Sequence, residues 1–564
     1  MTTSTACAKL GNGSAPLTKA NAPTDPDVLF LADFLAGCFD PSTSEEVVGD
    51  PKRQVFVTTW SLSGGDEWQV TKRLSLDYGI RYDYEGPVHS QLQNLSVFDP
   101  TQTSGLAVVG QNVPNLWNKF YGGASPRIGF SQQLDNSGKT VLRGGYGFYY
   151  DSIYMKSILQ NSGAQNISVF GPGLNPAGDE QVAQASGISN TVIAPGTPIF
   201  QTLAEALAGA GVVKISTFDK NFRPSYTQSL DLNLQHSFTP SVIWQLGYVA
   251  TKGTHLMGLF DINPAEPGTA GLPDPNLTRP YYTPPGTTVA GKFPFSVIDE
   301  ARSNLGSIYN SLQTTLRVQN FHNLSSQLAY TWAHSLDYET GLLPYVAQDP
   351  LNEKGEYGNS DFDVRNTLTG YLDYHVPTFK GPERLTKGWE VNSGFSFHGG
   401  TPYTVVSANN PSGNGEGADR AVQVISKPTA GVPHGIGAVC PGIVQWFSSD
   451  NASTANGCSA DENSAFVDAP ANTYSPTRRG QNYNPGYSAV DVAFFKTTKI
   501  TERVGSQFSV NVFNIFNRIN LAPVGFPSAG EGGQIGSTLG PYLGNPGIGP
   551  GEPLNAEFAL KIIF

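Results

Sequence analysis

No stretch of this chain approaches the ~18 consecutive apolar residues that read as a membrane-crossing helix, so helical spans are excluded while membrane-crossing strands are not. Charge is scarce: 14% of the 564 residues are charged, and 34 basic against 46 acidic side chains leave a net charge of -12. No Lys/Arg cluster stands ready to neutralise phosphates, which excludes nucleic acid as a partner. The four cysteines, Cys7, Cys38, Cys440 and Cys458, form no CxxC and no Cys/His ligand spacing, so no metal site is expected from them. Cys440 and Cys458 share one polar loop, where an oxidising compartment leaves a disulfide open. HExxH, a GxSxG before a helix, a P-loop and a dinucleotide fingerprint are all missing, and the eight His are scattered. The reading is a non-enzyme without cofactors. The N-terminal MTTSTACAKLGNGSAP has neither a basic nor an apolar leader region, so an exported chain of this kind is expected to be the C-terminal part of a longer one.

What the chain has is Gly (63), Pro (41), aromatics (11%) and a strict two-residue rhythm. Its last residues, AEFALKIIF, put Phe558, Leu560, Ile562 and Phe564 on every second position, with Glu557 and Lys561 facing the other way. Such a strand suits lipid on one side and water on the other. An edge strand of a soluble domain would show the same alternation, so the remaining segments must decide. In RLSLDYGIRYDYE (73–85) Leu74, Leu76, Tyr78, Ile80, Tyr82 and Tyr84 oppose Ser75, Asp77, Arg81 and Asp83. The pattern returns as paired segments around Asp135-Asn136-Ser137-Gly138 (127–152), around Thr239-Pro240 (229–250) and over 312–332. It recurs at 364–376, 389–405, 487–498 and 506–519. About thirteen segments result, or fourteen with VLFLADFLAG (28–37), each near the ~9–11 residues that a tilted membrane strand needs.

Long polar connections at 86–126, 153–225, 254–308, 338–362, 406–486 and 521–555 alternate with tight turns. Nothing forces that rhythm on a soluble sandwich, whereas transmembrane barrels have short periplasmic turns and long outer loops. A mean hydropathy of -0.23 is compatible, because half of each strand and all the loops face water. The final strand then runs inward and leaves Phe564 at the periplasmic end. Tyr82, Tyr84, Tyr149, Tyr150, Tyr330 and Trp332 gather at the long-loop ends, as an interfacial aromatic girdle does.

Several segments resemble the TonB-dependent receptors, specifically the Oar-like group. They are WQVTKRLSLDYGIRYDYEGP (68–87), FLADFLAG (30–37), SPRIGFSQQLDNSGKTVLRGGYGFYYD (125–151), NSDFDVRNTLTGYL (359–372), GWEVNSGFSFHGGTPYTV (388–405), RRGQNYNPGYSAVDVAFFKTTKI (478–500) and FSVNVFNIFNRINL (508–521). The terminal strand is similar to the signal read by the barrel-assembly machinery, with Ala559 in place of the usual Gly. The resemblance implies an all-β fold: an antiparallel transmembrane β-barrel in the outer membrane, in the family about 22 strands around a plug. Here thirteen or fourteen strands over residues 28–564 are expected, with 1–27 unassigned. No plug, TonB-binding segment or carboxypeptidase-like extension is found, so the TonB complex would be reached only through the missing N-terminal region. The implied partners are outer-membrane lipid and an extracellular ligand, whether oligosaccharide, peptide or iron chelate. A surface adhesion protein anchored by a barrel, and a passive porin, stay open as alternatives.

Residue roles follow from the faces. Arg81, Arg143 and Arg317 stand on the water-facing side, where they would line a lumen as a ladder or pair with Asp77, Asp83 or Asp231. Asp361 and Asp363 in SDFDVRN are too few and too close in sequence for a calcium loop, and Asp363 and Arg365 are expected to face water. Trp117, Tyr121, Tyr281, Tyr282 and Trp446 would either stack on a ligand or anchor the loops on one another.

Overall fold

The computed structural model describes residues 45–48, 55–91, 95–152, 181–184, 213–268, 275–284, 287–340, 347–407, 409–414, 419–430, 432, 434–438, 443–448, 464–525, 533–539, 551 and 553–564. The segment 28–37 and all four cysteines, and with them the Cys440–Cys458 expectation, lie outside these residues.

The alternating segments form one large sheet. Along its path run thirteen strands: β1 (Thr59–Thr71), β2 (Leu74–Glu85), β3 (Ala124–Gln133), β4 (Thr140–Tyr150), β5 (Tyr226–Thr239), β6 (Val242–Asp261), β7 (Phe295–Phe321), β8 (Leu324–Asp337), β9 (Asn366–His375), β10 (Trp389–His398), β11 (Tyr487–Lys499), β12 (Gly505–Phe513) and β13 (Asn555–Ile563). Each pairs antiparallel with its neighbours in sequence order. Turn chemistry joins the hairpins. Asp135 accepts hydrogen bonds from the Ser137 hydroxyl (2.8 Å) and the Lys139 amide (3.0 Å), and the Thr140 and Ser137 hydroxyls hold its carboxyl far below the usual carboxylate range. At the turn from β7 into β8, Asn320, His322 and Asn323 take positive φ, a conformation in which Asn and His are enriched.

Register fixes the faces, because residues directly opposite each other across a ladder point to the same side. Tyr78 meets Ile128, which meets Tyr146, which meets Leu230; that row continues through Ala250 and Asn310. Leu232, Tyr248, Leu312 and Trp332 form the next row. At the far edge Phe558, Leu560 and Ile562 stand opposite Val510, Phe508 and Ser506. The other face carries Asp77, Gly129, Gly145 and Asp231 in one row and Gln245, Thr315, Ala329 and Thr369 in another. A one-residue slip anywhere would send a whole strand's apolar set to the polar side, so each hairpin fixes the next. Large apolar side chains on the first face stay exposed, Leu232 at 42% and Trp332 at 57% among them, as a lipid-contacting surface requires.

Because neighbours are antiparallel and the path holds thirteen strands, β1 and β13 run the same way, both from the long-connection end to the tight-turn end. They are not paired with each other among the described residues. A direct seam between them would be parallel; antiparallel closure needs an odd number of further strands.

The long-connection end holds the only large apolar clusters among the described residues. One joins Val88, Leu95, Leu116, Trp117, Phe218 and Phe222; a second joins Leu106, Ile215, Phe293, Phe295 and Ile298; a third, from the later connections, centres on Val405, Phe447 and Phe466. Four expected boundaries shift here. Residues 254–308 are not wholly a loop, since β6 continues to Asp261 and β7 begins at Phe295, giving 20 and 27 residues where ~9–11 cross a bilayer. Ladder pairing continues beyond the lipid because it still satisfies backbone groups, and Val213–Phe218 adds to it in parallel. Conversely, β10 stops at His398 and β12 at Phe513, where Asn514 takes a positive φ and its amide donates to Asp491 (2.8 Å).

Leu232→Arg on the apolar face is expected to destabilise the protein by about 2–4 kcal/mol in bilayers, while Thr315→Arg on the polar face stays close to wild type. Urea titration in lipid vesicles checks this, and equal losses would mean that the faces are misassigned.

Candidate functional site

The polar face opens at the long-connection end into a cavity of ≈ 510 Å³ bounded by β1–β4 and the connection that precedes β3. Arg81, Asp83 and Glu85 alternate outward along β2, and Arg127 and Tyr149 reach the same face from β3 and β4. The Arg81 guanidinium Nε lies 2.9 Å from Asp83, and its Nη2 donates to the Ser61 hydroxyl at 3.0 Å. Arg127 sits over the Tyr149 ring, 4.3 Å from its centroid. The cavity therefore offers a cation on an aromatic face, a second cation already paired, and the carboxylates of Glu85 and Asp151.

The connection is tied down at this rim. Tyr82 donates to the Tyr121 carbonyl (2.8 Å), Tyr150 to the Gly122 carbonyl (3.0 Å), and the Asp83 amide to the Gly123 carbonyl (2.9 Å). Gly123 approaches so closely that an added Cβ would lie 1.9 Å from the Asp83 carbonyl oxygen, which explains a glycine there. On the apolar side Trp60 stacks on Tyr84 (5.8 Å), and Tyr84 stacks on Tyr121 (5.2 Å). Tyr149 departs from the expected girdle: its neighbour Tyr150 faces the apolar side, and the two-residue period puts Tyr149 on the polar one.

The three sequence-predicted arginines share the polar face but are not brought together. Arg81 lies toward the long-connection end, whereas Arg143 and Arg317 lie near the tight turns, on β4 and β7 with two strands between them. Arg143 donates to Gln235 (2.9 Å), and Arg317 stands opposite Ile243 and Gln327. They form no continuous ladder. Of the carboxylates proposed as their partners, Asp83 is the one that Arg81 engages.

Buried polar groups in the connections were not legible beforehand. Asp363 does not face water: it is 1% exposed and accepts from the Ser335 amide (2.7 Å) and from Arg365 (2.8 Å), pinning the start of β9 to the end of β8. Arg479 joins Asp337 and donates to the Glu356 carbonyl (3.0 Å); Arg420 pairs with the Glu356 carboxylate at 2.5 Å; Arg279 pairs with Asp261 at 2.7 Å. All six of these ion-pair residues are buried. They knit segments distant in sequence, since Asp337 ends β8, Glu356 lies in the connection that follows it, and Arg420 and Arg479 lie in the connection after β10. Arg479 and Asp363 both fall in motifs singled out in the sequence, RRGQNYN and SDFDVRN, but the motifs carry no hint of burial. Of the loop aromatics, Trp117 packs on Phe218 and Phe222, Tyr281 on Phe98, and Trp446 on His434 while donating to the Tyr483 carbonyl (2.9 Å). Tyr282 is buried, and Tyr121 remains exposed at the rim. Burial also pushes the Tyr403 hydroxyl far above its usual range.

A sheet with one lipid-compatible face, one polar face and long connections at a single end defines a membrane β-barrel protein. A family model described as "Outer membrane beta barrel domain" matches residues 7–542, and the chain belongs to that family, which places it in the outer membrane. No curated protein matches it. Among solved structures it is similar to the Pseudomonas aeruginosa FpvA–pyoverdine–iron complex (11% identity, 91% of this chain and 39% of that chain, TM-score 0.38). It is also similar to the outer membrane transporter YddB from Escherichia coli (10%, 90% and 45%, 0.42) and to the siderophore receptor PirA from Acinetobacter baumannii (11%, 90% and 46%, 0.39). The chain spans less than half the length of each.

Arg479→Ala, which leaves Asp337 buried without its cation, is expected to cost about 3–5 kcal/mol in the connections. Limited proteolysis of intact outer membranes should then cut within 338–365 or 399–486 faster than in wild type, while the strands stay protected. Unchanged cleavage would remove Arg479 from the anchoring role.

Proposed function

We propose that this chain forms the wall and outer loops of an energy-coupled outer-membrane receptor of the TonB-dependent, Oar-like type, with residues 28–564 as its barrel portion. The plug and the TonB-contacting segment belong to the remainder of that architecture. Phe558, Leu560, Ile562 and Phe564 serve as its assembly signal, and Arg81, Arg143 and Arg317 line its lumen.

The observation that carries the reading is the folded crown of connections at one end, with three apolar clusters and three buried Arg–carboxylate pairs, beside a cavity on the polar face. A shaped, rigid crown suits capture of a particular solute; a passive pore needs only a wide mouth. The cation and aromatic groups of the cavity suit an anionic or hydroxyl-rich ligand, which keeps oligosaccharide, peptide and iron chelate in view.

Cells expressing the protein with and without a functional TonB, supplied with labelled ferric chelates, oligosaccharides and peptides, test it. Accumulation of one ligand class that disappears with TonB is expected. Accumulation indifferent to TonB, together with steady conductance in planar bilayers, would make the protein a passive porin. Absence of uptake beside loop-dependent cell adhesion would make it an anchor.

A further inference from the structure

We propose that Asp373, His375, Glu390 and Asn392, on the polar face at the tight-turn end of β9 and β10, bind one divalent transition-metal ion. Asp373 and His375 are two apart on β9 and so point the same way; Glu390 and Asn392 do the same on β10. The ladder sets His375 opposite Glu390 and Asp373 opposite Asn392, so the four side chains make one cross-strand square. His375 Nε2 is 3.7 Å from Asp373 Oδ2, and its Nδ1 is 3.7 Å from Glu390 Oε2. One donor atom from each of the three lies within 4.8 Å of the others. Bonds of the length usual for zinc put tetrahedral donor atoms about 3.4 Å apart, and since an imidazole gives one ion a single nitrogen, the site closes by rotamer shifts of up to about an ångström from the present separations.

The hydrogen bonding points the same way. The Asn392 amide donates to Glu390 Oε1 (2.8 Å) and orients that carboxylate, leaving Oε2 toward the imidazole. Asp373 Oδ1 and Asn392 Oδ1 are buried from solvent and have no hydrogen-bond donor. Buried acceptor oxygens of this kind are costly unless a donor or a cation meets them. None of the neighbours facing the square across the ladders is basic: Ser325 lies opposite Asp373, Phe495 opposite Glu390 and Ala493 opposite Asn392. An imidazole nitrogen among the donors favours a first-row transition ion over calcium or magnesium, which prefer all-oxygen shells. This inference stands apart from the receptor reading, since a metal on the wall is compatible with a receptor, a porin or an anchor.

Titration of the folded, detergent-solubilised full chain with zinc chloride in a calorimeter is the test. One ion per chain is expected, with affinity falling at least about ten-fold in His375→Ala and in Asp373→Asn, the loss that even outer-shell partners of metal sites produce. His398→Ala, on the same face but outside the square, should bind as wild type does. The unaltered protein supplies a readout independent of variant folding: carbethoxylation of His375, followed by mass spectrometry, should be suppressed by zinc. No saturable zinc binding, equal affinity in the variants, or His375 modified at the same rate with and without zinc would overturn the proposal.

Discussion

Everything in this fold depends on one demand, that backbone N–H and C=O groups crossing hydrocarbon be satisfied by the protein itself. A strand cannot do this alone, so the eleven inner strands each lean on two neighbours, and the two end strands each have one side unpaired among the described residues. The same demand explains the parity of the sheet. Tight turns and long connections alternate along an antiparallel path, so strand direction is fixed by position in the count. An odd count leaves two edges running the same way, which neither fold directly onto each other in antiparallel fashion nor pair so with a second copy in the same membrane orientation. What meets these edges must present strands that run outward.

A lipid-facing sheet of this kind has no apolar interior, and the apolar residues are distributed accordingly. Side chains that would be core in a soluble protein, such as Leu232, Tyr248 and Phe558, point outward and stay exposed, while the buried clusters sit in the connections. The molecule thus separates two kinds of stability. The wall rests on ladders and lipid, whereas the crown rests on packing of the ordinary globular sort, with Phe447, Phe466 and Val405 fully enclosed. Strands β6 and β7 connect the two regimes by carrying their ladder from one into the other.

This division also decides what the sequence made legible. Period-two alternation is a local signal, and it located the strands of the wall, the hairpin turns and the two faces, down to Phe558, Leu560 and Ile562 against Glu557 and Lys561. The crown is built from contacts between residues far apart in the chain, and no local pattern announces them. Asp363 looked like a water-facing residue because Asp usually is one; only the fold shows the Ser335 amide and Arg365 closing around it. Asp373, His375 and Glu390 carry no local signal for a related reason. A spacing of two on one strand is unremarkable until the neighbouring strand supplies the third group in register.

The buried ion pairs of the crown sharpen the functional argument. Pairs such as Arg420–Glu356 and Arg279–Asp261 are poor devices for stability alone, since desolvation offsets much of their attraction and well-packed apolar replacements are often as stable. Their geometric demands are strict, however, because a guanidinium held by a carboxylate and backbone carbonyls tolerates few arrangements. Arg479 meets Asp337 and the Glu356 carbonyl together, and Arg420 meets the Glu356 carboxylate and the Thr477 carbonyl. Two connections are thereby held in one mutual arrangement rather than in many of similar energy. The crown is therefore specified in shape by polar contacts as well as by packing, with segments far apart in sequence fixed against one another.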